Sequence, residues 1–180
     1  MELEARSLAA IGAPAVEALI NLLDDGSEWS RINAAFALGE MDSGGRKGVA
    51  SLVACLDDRS HRVVRTALDA LGSIRRSMSV TDISPLLENG RREWEKELLR
   101  GWSAQDQVRT NAAMACARLG KRAAPAEEAL VRALDDPCGH VGSFAMYALR
   151  RLGTLTASAA VQNFLLAQRW DPSIRADRQF

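Results

Sequence analysis

The sequence predicts an all-α protein, a right-handed α-α superhelix of about five stacked helix pairs. Two observations from the chain itself and one from its composition lead to this prediction. A helical pattern rich in small residues recurs about every 33 residues, which indicates a repeat architecture. Each copy is followed by a second, more apolar helical pattern. Hydrophobic residues make up 47% of the chain and aromatic residues only 5%, which suits helices packed through small side chains.

In four of the five pairs the first helix carries two alanines three positions apart, whereas the first unit lacks most of its first helix. These pairs are Ala34 and Ala37, Ala67 and Ala70, Ala112 and Ala115, and Ala145 and Ala148. Small side chains at this spacing share one helical face and let the backbones of neighbouring helices come close. We therefore expect the first helices to stack on one another. A large residue at one of these positions should cost roughly 1–3 kcal/mol through overpacking.

The second helix of each pair has apolar residues at the spacing of one buried helical face. Two examples are Val16, Leu19, Ile20 and Leu23, and Val49, Leu52, Val53 and Leu56. An isolated pair has no means of covering this face, so neighbouring pairs must cover it. Three of these helices end in paired acids: Asp24 and Asp25, Asp57 and Asp58, and Asp135 and Asp136.

Two sites carry signals for the start of a helix. Asp136 is placed to cap the amino end of the next helix, with Pro137 in its first turn. Ser103 is followed three residues later by Asp106, which resembles a capping box with a shorter acid. We expect helices to begin after both sites.

The combined pattern resembles the short HEAT repeats, particularly those found in phycobilisome lyases. Its first part reads V-R-x-x-A-A-x-A-L-G, and its second part has apolar residues at helical spacing before paired aspartates. The resemblance covers residues 5–26, 28–58, 61–89, 105–136 and 139–168, within a single HEAT-like domain spanning 1–180. It implies a HEAT-like solenoid. It leaves the activity open, because such repeats occur in lyases, scaffolds, regulators and some DNA-repair glycosylases.

Three segments depart from this pattern. Residues 88–104 form an insertion, residues 169–180 are expected to cap the last repeat, and the usual Val-Arg is replaced by Val141-Gly142. In the insertion, Trp94, Leu98 and Trp102 have the spacing of one face of an inserted or extended helix. This face either packs onto the solenoid or stays open as an aromatic anchor for a partner.

The resemblance also indicates a binding surface. In HEAT-like solenoids the second helices usually line the concave side, which makes their non-core positions candidate partner-binding residues. Here these are Glu17, Asn21, Glu128 and Arg132, together with Ala50 and Ala54. The set is small and mixed in charge, without a cationic groove or phosphate cradle, so nucleic acid is an unfavoured partner.

Basic residues follow the carboxyl ends of the first helices. The candidates for binding an acidic partner are Arg75, Arg76, Lys121, Arg122, Arg150 and Arg151. Stacking should bring them along one edge, although the net charge of the chain is zero. The simpler interpretation is that these cations complement the helix dipoles.

The sequence predicts no catalytic residue, cofactor or metal site. It shows no Gly-rich phosphate loop, nucleophile elbow or zinc motif. Cys55 and Cys116 fall on apolar helix faces, where a thiol behaves as a small hydrophobe, so disulfides are not expected. Neither a membrane span nor a signal peptide is evident, and a cytoplasmic protein is the expectation.

We therefore expect a scaffold or regulatory module that binds another protein, of unknown identity, without catalysis. One alternative is an enzyme or enzyme subunit resembling the phycobilin lyases, with Trp94, Trp102, Arg91 and Arg92 around a bilin. A second alternative is a HEAT protein that binds nucleic acid.

Overall fold

The computed structural model describes residues 9–74, 83–88, 98–99 and 102–168, and most of these residues are helical. The helices are α1 (Val16–Asp25), α2 (Glu28–Glu40), α3 (Val49–Ala54), α4 (His61–Ser73), α5 (Ser84–Glu88), α6 (Ala104–Leu119), α7 (Glu127–Ala133), α8 (Gly139–Leu152) and α9 (Leu155–Ala167). Short 3-10 segments cover Ala13–Ala15, Asp42–Gly48, Cys55–Asp57 and Gly120–Ala126. Two-residue strands β1 (Leu98–Leu99) and β2 (Trp102–Ser103) lie between α5 and α6.

The helices pack in two layers, as a solenoid requires. Helices α2, α4, α6 and α8 pack side by side in that order and form what we call the first-helix layer. In the other layer α1 contacts α3, α5 contacts α7, and α7 contacts α9. Apolar side chains between the layers form one continuous core. The predicted all-α solenoid is confirmed.

Successive first helices are held close by small residues. The eight repeat alanines are all buried, with at most 3% of their surface exposed. A Cβ atom added to Gly39 of α2 would lie 2.8 Å from the Cα of Ala70 in α4. At the next interface, a Cβ added to Gly72 would lie 3.3 Å from the Cα of Ala115. The predicted close approach of the first helices is confirmed.

A buried ion pair joins α2 to the turn after α3. Arg31 Nε donates to Asp58 Oδ2 at 2.6 Å, and Arg31 Nη2 donates to Asp58 Oδ1 at 3.1 Å. Only 12% and 10% of the two side chains is exposed. The hydrogen bond to Asp58 raises the pKa of the Arg31 guanidinium. Asp58 Oδ1 also accepts a hydrogen bond from the backbone N–H of Ser60, which fixes the turn before α4.

The same arrangement recurs at the amino-terminal half of α6. Arg109 Nε and Nη2 donate to the two carboxylate oxygens of Asp136 at 2.8 and 3.2 Å, and Asp136 Oδ1 accepts from the backbone N–H of Cys138. Arg109 also bonds Asp106 within its own helix. In both pairs 27 residues separate the arginine from the aspartate. The corresponding positions in α4 and α8 are Val64 and Gly142, so the pair occurs in alternate first helices.

The two helix-start signals have different outcomes. Ser103 caps α6 as expected, because its hydroxyl accepts from the backbone N–H of Asp106 at 3.0 Å. The prediction that Asp136 caps the following helix is wrong. Helix α8 begins at Gly139 with Cys138 in the cap position. Asp136 precedes this cap position, and its carboxylate binds Arg109 instead.

The inserted segment is also different from the expected helix. Leu98 pairs with Ser103 and Leu99 pairs with Trp102 in antiparallel strands, so Leu98 and Trp102 do not share a helical face. Trp94 lies outside the described residues. The sequence between the strands contains Gly101, a residue that disfavours helix and suits a short hairpin connection.

Two of the three cysteines are confirmed as buried, apolar side chains. Burial raises the pKa of the Cys55 thiol to about 11 and that of the Cys116 thiol to about 12. Both thiols therefore stay protonated near neutral pH and contribute to packing.

Candidate functional site

The four first helices present equivalent side chains on the surface of their layer, which we call the first-helix face. Each helix contributes a residue two positions after its first repeat alanine and another one turn later. These residues are Phe36 and Glu40 in α2, Asp69 and Ser73 in α4, Met114 and Arg118 in α6, and Tyr147 and Arg151 in α8. Among these eight positions, the negative charges of Glu40 and Asp69 lie on α2 and α4, and the positive charges of Arg118 and Arg151 lie on α6 and α8.

A cleft of about 700 Å3 lies on the first-helix face between α6 and α8. We call it the α6–α8 cleft. It is lined by Met114, Ala117, Arg118, Phe144, Tyr147, Arg150 and Arg151. Its volume lies within the range of small-ligand and side-chain binding sites. Ala117 occupies the position that is Gly39 in α2 and Gly72 in α4, so a methyl group is present at this interface where the earlier two have none.

The apolar part of the cleft is aromatic and thioether in character. The Phe144 and Tyr147 rings are tilted against each other, with their centroids 6.4 Å apart. Tyr147 keeps 52% of its surface exposed. Met114 and Phe144 are half-buried beside it. Together they offer a partner an apolar contact on rigid helices.

The charged part of the cleft consists of arginines. Arg150 and Arg151 are exposed in the last turn of α8. Arg118 Nη1 donates to Asp69 Oδ1 on α4 at 3.1 Å, while 40% of the arginine side chain and 46% of the aspartate side chain stay exposed. Arg118 Nη2 also lies 3.8 Å from the sulfur of Met114. The guanidinium of Arg118 therefore connects the apolar and charged parts of the cleft.

Arg118 also borders a smaller groove of about 250 Å3 between α2 and α4. That groove is lined by Phe36, Gly39, Glu40, Thr66, Asp69, Ala70, Ser73 and Arg118. Burial raises the pKa of the Asp69 carboxyl there, while Arg118 and Arg65 act in the opposite direction. Near the amino ends of α2 and α4, the Arg62 guanidinium lies 5.9 Å from the centroid of the Trp29 ring. The first-helix face is thus lined with aromatic and charged groups across all four helices.

The residues predicted on the second helices lie in the opposite layer. Glu17 and Asn21 are exposed on α1. Glu128 and Arg132 are exposed on α7, where Arg132 Nη1 donates to Glu128 at 2.7 Å and Arg132 Nε donates to Glu88 of α5 at 2.9 Å. This cluster links two second helices and neutralises the charge of Arg132.

The structure describes four of the six predicted basic residues. Lys121 and Arg122 are exposed in the 3-10 segment after α6, and Arg150 and Arg151 lie at the end of α8. Of these, Arg150 and Arg151 line the α6–α8 cleft. Arg75 and Arg76 lie outside the described residues, as do Arg91, Arg92 and Trp94.

Four residues of the cleft were not predicted from the sequence: Met114, Arg118, Phe144 and Tyr147. Their signal was present in the repeat register, because Met114 and Tyr147 occupy the same outward position relative to the buried alanines. Large side chains at outward positions of a helix are candidates for binding. The sequence-based prediction placed the binding residues on the second helices, whereas the residues of the cleft lie on first helices α6 and α8.

The described residues include neither a metal-binding cluster nor a membrane-spanning helix. In the ranges that the structure describes, no cluster of three or more His, Cys, Asp or Glu side chains is arranged to hold a metal ion. The helices within 9–74, 83–88 and 102–168 include none with the length and hydrophobicity needed to span a membrane.

The layered helix pairs define an α-solenoid repeat protein. The chain belongs to the HEAT-repeat family, since the model of HEAT repeats matches residues 16–105, half of its length. The PBS lyase HEAT-like repeat model matches residues 5–25, which identifies the repeat type and confirms the resemblance seen in the sequence.

Solved structures of repeat proteins share this fold. A designed armadillo repeat protein in complex with the peptide (KR)4 is similar with a TM-score of 0.60 and 19% identity, over 94% of this chain and 84% of that chain. An engineered protein is similar with a TM-score of 0.61 and 22% identity, over 95% and 83% of the two chains. Another designed armadillo repeat protein is similar with a TM-score of 0.57 and 21% identity, over 95% of this chain and 86% of that chain. No curated protein matches the chain.

Proposed function

We propose that this chain is a protein-interaction scaffold that binds its partner on the first-helix face and catalyses no reaction. Repeat solenoids of this fold are typical protein-binding scaffolds. The observation that carries the proposal is the α6–α8 cleft, where an exposed Tyr147 lies beside arginines. Tyrosine and arginine are enriched among the residues that dominate binding energies at protein interfaces.

The rigidity of the first-helix layer supports this function. The backbones of α2, α4 and α6 are in close contact at Gly39 and Gly72, and Ala145 and Ala148 of α8 are fully buried. A surface held in this way loses little conformational entropy when a partner binds.

The structural neighbours support a peptide or protein as the partner. One of the designed armadillo repeat proteins was solved in complex with the peptide (KR)4, so a solenoid of similar fold holds a peptide. The identity between the two chains is 19%, and the likeness therefore concerns the fold. The residues that bind in this chain are inferred from its own cleft.

Site-specific photo-crosslinking in the native cell tests the proposed surface. A photoreactive phenylalanine analogue replaces Tyr147 in the cleft, and the matched control carries it in place of Asn21, which is exposed on α1 in the other layer. We expect a covalent adduct with a partner protein from the Tyr147 position and none from the Asn21 position. Adducts formed only from Asn21, or from neither position, would contradict the proposal.

The absence of catalysis has a separate test against the lyase-like alternative. The purified chain is mixed with a free bilin and its absorbance spectrum is recorded with and without the acceptor protein of a phycobilisome. We expect the spectrum to equal the sum of the separate components. A shifted absorbance band that persists in denaturant would indicate covalent attachment and overturn this part of the proposal.

A further inference from the structure

We propose that the α6–α8 cleft takes an acidic peptide segment of the partner protein, in which one large apolar side chain is flanked by aspartate or glutamate. The inference deepens the proposed function, because it rests on the first-helix face being the binding surface. It specifies the chemistry of the segment that enters the cleft.

The apolar side chain is required by the floor of the cleft. Met114, Phe144 and Tyr147 form a continuous apolar surface in a space of about 700 Å3. A small inorganic anion would leave that surface in contact with water. A leucine or an aromatic side chain of a peptide covers it, and burial of such a side chain contributes about 1.5–3 kcal/mol in a favourable case.

The acidic residues are required by the rim of the cleft. Arg118, Arg150 and Arg151 lie along it, and among the described residues that line the cleft none is acidic. Arginine presents several N–H donors in a planar fork that matches a carboxylate. Within the described part of the chain, Arg150 and Arg151 have no acidic partner. A segment rich in aspartate or glutamate complements this charge, whereas a basic segment is repelled.

Arg118 is the third arginine that can bind a carboxylate of the partner, but Asp69 already contacts it. Its ion pair with Asp69 is half-exposed and is therefore weak. A carboxylate from the partner competes with Asp69 for the same guanidinium. Three other arginines are already paired within the chain, because Arg31 and Arg109 bind aspartates with little exposure and Arg132 is held by Glu88 and Glu128.

The test uses random twelve-residue peptides displayed on phage and selected on the intact chain. We expect the enriched peptides to carry one leucine or aromatic residue among several acidic residues. Synthetic fluorescein-labelled copies of the enriched sequences are then measured by fluorescence anisotropy. The double variant Arg150→Glu with Arg151→Glu should bind them about 10-fold to 30-fold more weakly, since two exposed charge contacts are reversed.

Matched variants separate the cleft from general charge effects. Arg132→Glu makes the same charge reversal at an exposed position of α7 in the opposite layer, where the arginine is paired with Glu88 and Glu128, and should leave the affinity unchanged. Asp69→Asn frees Arg118 and should raise the affinity about 2-fold to 5-fold. Thermal unfolding of each variant checks that the exposed substitutions leave the fold intact.

The possible failures are distinguishable. Enriched peptides that are neutral or basic but lose binding in Tyr147→Ala would overturn the acidic preference and leave the first-helix face as the binding surface. Peptides that are insensitive to Tyr147→Ala, or equally weakened by Arg132→Glu, would overturn both proposals. A selection that enriches no peptide would also overturn both.

Discussion

The two ends of α6 carry arginine–aspartate pairs with the same chemistry and different surroundings. Near the amino end, Arg109 and Asp136 have side chains that are only 10% and 9% exposed, and both carboxylate oxygens are bonded by the guanidinium. At the carboxyl end, Arg118 Nη1 donates to Asp69 Oδ1 at 3.1 Å and to the Asp69 backbone oxygen at 3.5 Å, and 40% and 46% of the two side chains is exposed. Burial therefore separates a pair that holds the fold from a more exposed pair, which in our proposal a partner rearranges.

The largest expected effect is the loss of the buried carboxylate in Asp136→Ala. This change leaves Arg109 without its main partner and removes the acceptor for the backbone N–H of Cys138. Asp106 still bonds Arg109, so the expected loss is about 2–3 kcal/mol, at or below the lower end for a broken buried pair. Urea-induced unfolding followed by circular dichroism at neutral pH measures it.

A double variant provides the control for that loss. Arg109→Met combined with Asp136→Leu removes both charges and should recover part of the stability, because no buried charge is then left unpaired. The double variant still lacks the acceptor for Cys138, so recovery should be incomplete. Equal stabilities for Asp136→Ala and the wild type would show that the pair has no role in the fold.

An intermediate effect is expected at Gly142, which takes the position in α8 that Arg109 has in α6. A Cβ atom at Gly142 would lie 2.9 Å from the carbonyl oxygen of Leu134, closer than such contacts occur. Gly142→Ala should therefore cost about 1–2 kcal/mol by overpacking, although alanine is the better helix former. Chemical unfolding curves of the purified variant provide the measurement.

Gly139 is the matched control on the same helix. A Cβ atom there would meet nothing within 4 Å, so Gly139→Ala should be neutral or should stabilise the protein by up to about 1 kcal/mol. If both glycine variants behaved alike, close packing at Gly142 would not explain why this helix departs from the Val-Arg pattern.

The fold was predictable from the sequence because its determinants are local and periodic. The alanine pairs specify which faces of the first helices meet, and the apolar spacing of the second helices specifies the buried side. The segment around Leu98 and Trp102 was mispredicted because helical spacing was read through a stretch that contains two glycines. Glycine is the residue that most weakens such an inference, apart from proline.

The candidate site was less predictable, for physical reasons. The ion pairs that hold the helices are one example. Arg31 and Asp58 are separated by the same number of residues as Arg109 and Asp136, but whether these side chains meet depends on where the second helix ends. Arg150 and Arg151 were identified from the sequence. Their neighbours Phe144 and Tyr147 were not, because the spacing between α6 and α8 that opens the cleft is set by tertiary packing.

The smallest expected effect concerns Asp69→Asn on α4, which removes the charged partner of Arg118 at the carboxyl end of α6. The pKa of the Asp69 carboxyl is raised because the packing around it partly desolvates its charged form, although 46% of the side chain is exposed, so the folded state binds the proton more tightly than the unfolded state does. Stability from this group is therefore greatest in acid and falls as the pH rises through the raised pKa. Removing the charge should leave the free energy of unfolding within about 0.5 kcal/mol of the wild type near pH 7, in the stabilising direction.

The pH dependence gives the decisive comparison for this variant. The stability difference between Asp69→Asn and the wild type should narrow as the pH is lowered from about 7 towards 3, since the aspartate then becomes protonated in folded and unfolded chains alike. Urea unfolding at several pH values measures it. A loss above about 1 kcal/mol at neutral pH would mean that the Asp69–Arg118 pair holds the fold as the Arg109–Asp136 pair does, and Arg118 would then be unable to turn towards a partner.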